Sequence, residues 1–230
     1  MRIVPIDLGT RLVPYEEAWA LQREVHAQVA AGEAPDTVLL VEHEPVYTAG
    51  KRTAPWDRPV DGTPVVEVDR GGRITFHGPG QLVGYPIVRL AEPVDVVRYV
   101  RTLEQAVMDT CAHFGIETMR VEDRSGVWLP ASEGRRERKV CAIGVRVAKG
   151  VTMHGFALNC TTDLGWYDRI VPCGISDADV TSLSAELGRE VSLDEAREPL
   201  LGFLEAALAD VRWAQASTPA DSPLPTKETV

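Results

Sequence analysis

No stretch of 18 consecutive apolar residues occurs in this 230-residue chain, so the sequence predicts no membrane-spanning helix. The N-terminus, Met1-Arg2-Ile3-Val4-Pro5, also lacks the charged-then-apolar pattern of a signal peptide, and a cytoplasmic protein with no membrane partner is expected. Cysteine is scarce. Cys111, Cys141, Cys160 and Cys173 stand without a C-x-x-C pair, in a chain too long to need disulfide staples, and read as reduced thiols. The five histidines form neither H-x-x-x-H nor H-E-x-x-H, so a metal site would need ligands from distant parts of the chain, and none is expected. Both G-x-G-x-x-G and G-x-x-x-x-G-K-[ST] are missing, which argues against a nucleotide cradle. Positive charge is short as well: the formal net charge of −10 disfavours nucleic acid, whose phosphates need a basic face.

What is present is enough for a packed core, with 44% hydrophobic residues. Ile3 to Leu8 reads as a strand. Pro14 suits the first turn of a helix over Tyr15 to Ala31, with Ala18, Leu21, Val25 and Val29 on one stripe and Gly32 as its stop. Thr37 to Val41 is a buried strand, and His43 to Gly50 is too rich in breakers to form an element. Val65 to Val68 is a strand. Asp95 caps a helix carrying Val96, Val97, Val100, Leu103, Val107 and Cys111 at helical spacing, and Gly115 ends it. Ile116 to Val121 and Gly126 to Leu129 are short strands. Lys139 to Ala148 and Val151 to Leu158 form a hairpin about Lys149-Gly150, the segment 163 to 180 is irregular, and Val180 to Leu187 and Ser192 to Val211 are helical. The pattern predicts an α+β protein, mixed β-sheets flanked by helices, and the length fits one largish domain or two small ones. The stretch from Ala214 onward, with three Pro, two Ser and three Thr and almost no apolar anchor, is expected to be a disordered tail over 214 to 230.

The chain is organised around Asp69 to Val88, which holds five of its nineteen glycines. Gly71-Gly72 and Gly78-Pro79-Gly80 mark sharp turns or close backbone approaches. Between and after them lie β-prone residues, so the stretch reads as a hairpin with His77 and Gln81 at the mouth of a glycine turn, where rigid strands could aim them at a ligand. The run from Arg70 to Tyr85, R-G-G-x-x-T-x-H-G-P-G-Q-L-V-G-Y, resembles the central motif of the bacterial lipoyl(octanoyl) transferases. Further matches are R-K-V-x-A-I-G (Arg138 to Gly144), H-G-F-A-L-N (His154 to Asn159), V-P-C-G-I (Val171 to Ile175) and the loop H-x-P-x-Y-T-x-G from His43. The resemblance covers residues 1 to 213, which it implies form a single domain. It implies the fold of the biotin and lipoate protein ligase catalytic domains, and transfer of an octanoyl group from acyl carrier protein to a lysine of a lipoyl domain. It further implies as acceptors the lipoyl domains of 2-oxoacid dehydrogenase E2 subunits and the glycine cleavage H protein.

A thiol takes up an acyl group only as thiolate, and a free cysteine with a pKa of about 8.5 is only a few per cent ionised at neutral pH. Of the four, Cys173 alone lies between a proline and a glycine in an irregular loop, while the others lie on periodic elements. Cys111 and Cys160 are expected to be structural. Cys141 follows Lys139 by two residues and would share its strand face. The resemblance assigns Cys173 as nucleophile and Lys139 as its partner, and leaves Cys141 a buried bystander where the family has a small residue. An ammonium about 4 Å from a thiolate favours it by up to roughly 4 kcal/mol at an effective dielectric near 20. By the same resemblance the acyl chain lies against Arg70, Gly71, Gly72, Arg73, Ile74, Thr75, Phe76 and His77, against Ala142, Ile143 and Gly144, and against Gly155, Phe156 and Ala157. Thioester to amide runs downhill, so neither ATP nor a cofactor is expected. Arg135, Arg136, Arg138 and Lys139 form the densest basic patch for docking acidic carrier or lipoyl domains. Two other readings stand beside this one. An ATP-dependent ligase of the same fold would lack the V-P-C-G-I thiol, and a non-catalytic acyl-protein binding module would not need Lys139 and Cys173.

Overall fold

A computed structural model describes residues 1–132, 134–170 and 177–213. Cys173 and the tail from 214 lie outside the described residues. Eleven strands and four α-helices are found among those residues: β1 Arg2–Ile6, α1 Tyr15–Ala31, β2 Thr37–Val41, β3 Val46–Ala49, β4 Val65–Glu67, β5 Thr75–His77, β6 Gln81–Ile87, α2 Val96–His113, β7 Met119–Val121, β8 Arg124–Leu129, β9 Arg138–Ala148, β10 Val151–Asn159, β11 Asp179–Val180, α3 Leu183–Leu187 and α4 Leu193–Ala209.

The large sheet runs β1-β2-β6-β10-β9-β8-β7, with β11 joined in parallel to β9. Strand β2 shows why this sheet is covered on both sides. Its five residues are all buried, with Val38 and Leu40 in one apolar cluster and Leu39 and Val41 in the other, because successive side chains point to opposite faces. One cluster is closed by α2 and α4, through Leu103, Val107, Leu200 and Leu204. The other is closed by α1, through Ala18, Val25 and Val29. Helix α1 starts after Pro14 and ends at Gly32, as its sequence signals predict. Asp95 caps α2 by accepting from Arg98 N at 2.8 Å. At that end Val96 and Val97 are exposed, whereas Leu103, Val107 and Cys111 are fully buried.

The central glycine stretch departs from expectation. Strand β5 and strand β6 do not pair as a hairpin: β5 pairs with β3 in a separate sheet of order β4-β3-β5, while β6 pairs with β2 and β10. The Gly78-Pro79-Gly80 turn therefore carries the chain from one sheet to the other. Gly80 has φ of 78°, and a Cβ there would lie 2.5 Å from Thr161 Oγ1, so the crossing requires glycine. A second correction follows, because Val46–Ala49, expected to be without structure, is β3, the centre of the small sheet. Its Tyr47 packs with Ile74, Phe76, Tyr167 and Ile170, a cluster completed by the Trp166 ring stacked on Phe76 at 5.1 Å. That contact comes from a 3₁₀ helix over Leu164–Arg169, inside the segment read as irregular. The last helical expectation is trimmed: Val180 belongs to β11, and Ser182 caps α3 from Leu183.

Candidate active site

The β9–β10 hairpin forms the floor of the site. Its register pairs Gly155 with Gly144, Phe156 with Ile143, and Ala157 with Ala142, so two sequence motifs separated along the chain become facing halves of one surface. Residues 70–73 cross above this floor. Gly71 N donates to Val145 O at 3.0 Å, and the buried Arg70 guanidinium donates to the carbonyls of Gly71, Arg73 and Thr48 and to Thr48 Oγ1, at 2.8 to 3.0 Å. An arginine fork can hold several acceptors at fixed angles, so Arg70 ties the glycine loop to β3.

Between floor and loop lies a cavity of about 270 Å³. It is lined by twelve of the expected site residues: Lys139, the flanking Arg70, Gly72, Arg73, Thr75 and His77, and all six of the A-I-G and G-F-A positions. Three expected contacts do not reach it. Ile74 and Phe76 alternate to the other side of β5 and enter the Tyr47 cluster, and Gly71 is held by backbone to Val145. Tyr15, Tyr85, His154, Arg52 and the segment 123–125 also line the cavity and were not foreseen as site residues. They come from separated parts of the chain; His154 of H-G-F-A-L-N and Tyr85, the last residue of the central motif, carried a signal.

Lys139 opens β9 with only 6% of its surface exposed. Its Nζ donates to Ser125 O at 3.2 Å and lies 4.4 Å from the centre of the Trp128 ring. Cys141 points away into the α2 side of the core, fully buried, and burial holds its thiol well above the usual range. Burial likewise raises Cys111 and Cys160 to about 12. All three are poor thiolates and suit packing roles. Arg138 is buried too. It grips Glu186 through two bonds of 2.7 Å, and Arg135 takes the same carboxylate at 2.8 Å, so of the expected basic patch Arg138 and Lys139 are buried and only Arg135 and Arg136 face outward.

Three buried histidines cluster at the end of the site near α1, with His77 and His154 lining the cavity and His43 packed against His77. His43 donates from Nδ1 to Val13 O at 2.9 Å and accepts at Nε2 from Tyr85 OH at 2.7 Å, which fixes its neutral tautomer. His77 Nδ1 donates to Gln81 Oε1 at 2.8 Å, and Gln81 is itself held by Phe76 O, Asn159 and Tyr167. His154 Nε2 meets Asp69 at 2.7 Å while its Nδ1 faces Tyr15 OH at 3.4 Å. Burial pushes His43 and His154 down to about 4 and His77 well below its ordinary value. Burial also acts to raise Asp69, but the His154 bond and the Arg146 charge outweigh it and lower the carboxyl. At neutral pH this wall is polar and uncharged. Among the described residues no group of three His, Cys, Asp or Glu side chains could hold a metal ion. The arrangement is a small slot of mixed polarity, with an apolar Ala142, Ile143, Phe156 and Ala157 floor and Lys139 and several arginines around it, suited to an acyl chain whose reacting end needs a nearby cation.

Residues 14–205 match the lipoyl protein ligase A/B catalytic domain family. An octanoyltransferase of Salinispora tropica is 66% identical over 182 residues, covering 79% of this chain and 85% of that relative. One from Thermobifida fusca is 60% identical over 205 residues, covering 87% of each chain. Among solved structures, a bipartite lipoate protein ligase from Thermoplasma acidophilum superposes with a TM-score of 0.69 at 18% identity, covering 90% of this chain and 83% of that one. A biotin protein ligase from Aquifex aeolicus gives 0.56 at 15% identity, over 91% of this chain and 71% of that one. At these identities the likeness of the solved structures speaks for the fold alone, mixed sheets with flanking helices. With the sequence match spanning nearly the whole domain, the chain belongs to the bacterial lipoyl(octanoyl) transferases, within the lipoyl protein ligase A/B catalytic domain family.

Proposed function

We propose that this chain moves an octanoyl group from acyl carrier protein to a specific lysine of lipoyl domains, those of 2-oxoacid dehydrogenase E2 subunits and the glycine cleavage H protein. It works in the cytoplasm, without ATP or cofactor, as one acyltransferase domain over residues 1 to 213. The observation that carries the reading is Lys139, its Nζ anchored at the side of a cavity whose floor is the paired A-I-G and G-F-A segments. The volume supports the substrate. A cavity of about 270 Å³ is of the size that takes a small ligand such as a medium-length acyl chain. Burying six or seven methylenes contributes on the order of 5 kcal/mol, enough to select chain length.

In this mechanism the Cys173 thiolate, favoured by the Lys139 ammonium, adds to the thioester carbonyl of the donor. The tetrahedral intermediate collapses with loss of the carrier thiol, leaving an octanoyl thioester on Cys173. The amine of the target lysine then adds to that thioester and releases a proton to water, the equal of the one taken up by the departed carrier thiolate, and the Cys173 sulfur leaves as thiolate as the amide forms. With the histidine wall neutral, the positive charge of the cavity comes from Lys139 and the lining arginines, and these cations disfavour an incoming ammonium relative to a neutral amine.

The test is transfer from octanoyl-acyl carrier protein to a lipoyl domain in ATP-free buffer. Cys173→Ala should abolish it, whereas Cys141→Ala should keep most of it. The opposite ranking would assign the nucleophile to β9 instead, and strict ATP dependence of the wild type would move the chain to ligase chemistry.

A further inference from the structure

The peptide group joining Ser125 to Gly126 is held from both ends. Its N–H donates to Glu104 Oε1 at 3.0 Å, and its carbonyl accepts from Lys139 Nζ at 3.2 Å. The peptide is trans, so these two groups point to opposite sides and the carboxylate and the lysine face each other across one amide plane. Glu104 is fully buried on α2, where Arg101 and Arg120 hold it at 2.7 and 3.1 Å. Nothing in the transfer reaction uses it. Gly126 has φ of 119°, a conformation that side chains rarely adopt, and a Cβ there would lie 2.5 Å from the Cys141 carbonyl. With glycine at this point the amide can rotate cheaply, so its hydrogen bonds decide which end faces the cavity.

We infer that Glu104 is a positioning residue for Lys139: it locks the Ser125–Gly126 peptide with its carbonyl toward the cavity, and that carbonyl aims the lysine. The inference rests on the assignment of Lys139 and Cys173 made above. A bond from a carboxylate to the N–H polarises the amide and makes its carbonyl a stronger acceptor. With the peptide turned over, the lysine would lose an acceptor and meet an N–H donor, while the Trp128 ring on its other side limits where it can go. Sequence reading misses this device, because Glu104 looks like one more polar position on a helix.

The experiment follows the pH dependence of Cys173 alkylation by iodoacetamide in the full chain, with the site mapped by peptide mass. It needs no acyl donor. The charged and titratable groups sharing the cavity with Lys139 are Arg52, Arg70, Arg73, Arg124, Asp123, Tyr15, Tyr85 and the neutral His77 and His154, and those facing Glu104 are Arg101 and Arg120. None of these changes in the variants. Glu104→Leu should raise the alkylation midpoint by about one pH unit and slow octanoyl uptake about tenfold at neutral pH, with the rate recovered as pH rises. Glu104→Gln keeps an acceptor for the Gly126 N–H and should stay within about threefold of wild type. In a Lys139→Met background Glu104→Leu should add no further shift, since the two act through one contact.

An unchanged midpoint in Glu104→Leu overturns the inference, as does an equal shift with and without Lys139. So does a wild-type midpoint that Lys139→Met leaves in place. Should Glu104→Leu fail to fold, Glu104→Asp retains the charge but shortens the reach, and must shift the midpoint the same way for the inference to stand. Wild-type protein that alkylates as described yet takes up no octanoyl group would refute the transfer reaction, and the midpoint comparison would still decide the role of Glu104.

Discussion

Arg70 makes more of the site than any other single side chain, since its guanidinium ties the carbonyls of Gly71, Arg73 and Thr48 together in the loop that covers the cavity. Each such charge-assisted bond contributes roughly 1.5 to 3 kcal/mol, and a lysine has no fork with which to make them. Arg70→Lys should therefore lose at least about tenfold in kcat/KM while remaining folded; steady-state kinetics beside a thermal melt would check this, and wild-type kcat/KM would contradict it. Residues of this kind were legible because they sit inside one contiguous motif. The histidine wall was only half legible. His77 and Gln81 could be placed at a turn mouth from their neighbours, but the contact of Tyr15 with His154 spans 139 positions, and no local pattern encodes it. His43 illustrates the same limit: its burial and both ring partners depend on Val13 and Tyr85, which the sequence gives no reason to bring together.

At the level of elements, β9 begins where Glu186 of α3 gathers Arg138, Arg135 and the Thr181 hydroxyl. The Arg138 bond is the main reason that its carboxyl falls to about 2. Glu186→Ala leaves Arg138 buried without this partner, a loss of about 3 to 5 kcal/mol. The melting temperature should fall by roughly 10 °C, read by calorimetry, and a fall of less than about 2 °C would show that this clamp does not hold the strand. Elements with strong local signals, α1 between Pro14 and Gly32 and the hairpin about Lys149-Gly150, matched the sequence closely. The central stretch did not, because pairing is decided by distant partners: β5 found β3 and β6 found β2 and β10, and a glycine turn looks the same between sheets as within a hairpin. Strand β3 was hidden for a related reason, its Tyr47 being ordered by Phe76 and Trp166, far along the chain.

Across the whole molecule, pH acts through the buried histidines. A histidine whose folded pKa lies below its unfolded value of about 6.5 stabilises the fold fully above that value, and the contribution is lost as pH falls toward the folded pKa. His43 and His154, both down to about 4, and His77, held well below its ordinary value, all act in this sense. Stability should thus decline between about pH 6.5 and 4 with a slope of up to about 1.4 kcal/mol per pH unit for each histidine. Below about pH 4 the depressed carboxyls of Asp69 and Glu186 add their own losses as they protonate. Urea unfolding across this range should show His43→Asn flattening the upper slope by about a third, and an unchanged slope would refute the assignment. The fold class was legible from alternating strand and helix signals, whereas the division into a large and a small sheet was not, because it depends on long-range pairing. The central claim is a covalent octanoyl intermediate on Cys173, and intact mass spectrometry tests it most directly. Full-length protein mixed with octanoyl-acyl carrier protein in ATP-free buffer should gain the mass of one octanoyl group, mapped to Cys173, and lose it when a lipoyl domain is added and modified in step. Octanoylated lipoyl domain formed at full rate with no mass gain on the enzyme, or a gain mapped to another residue, would contradict it.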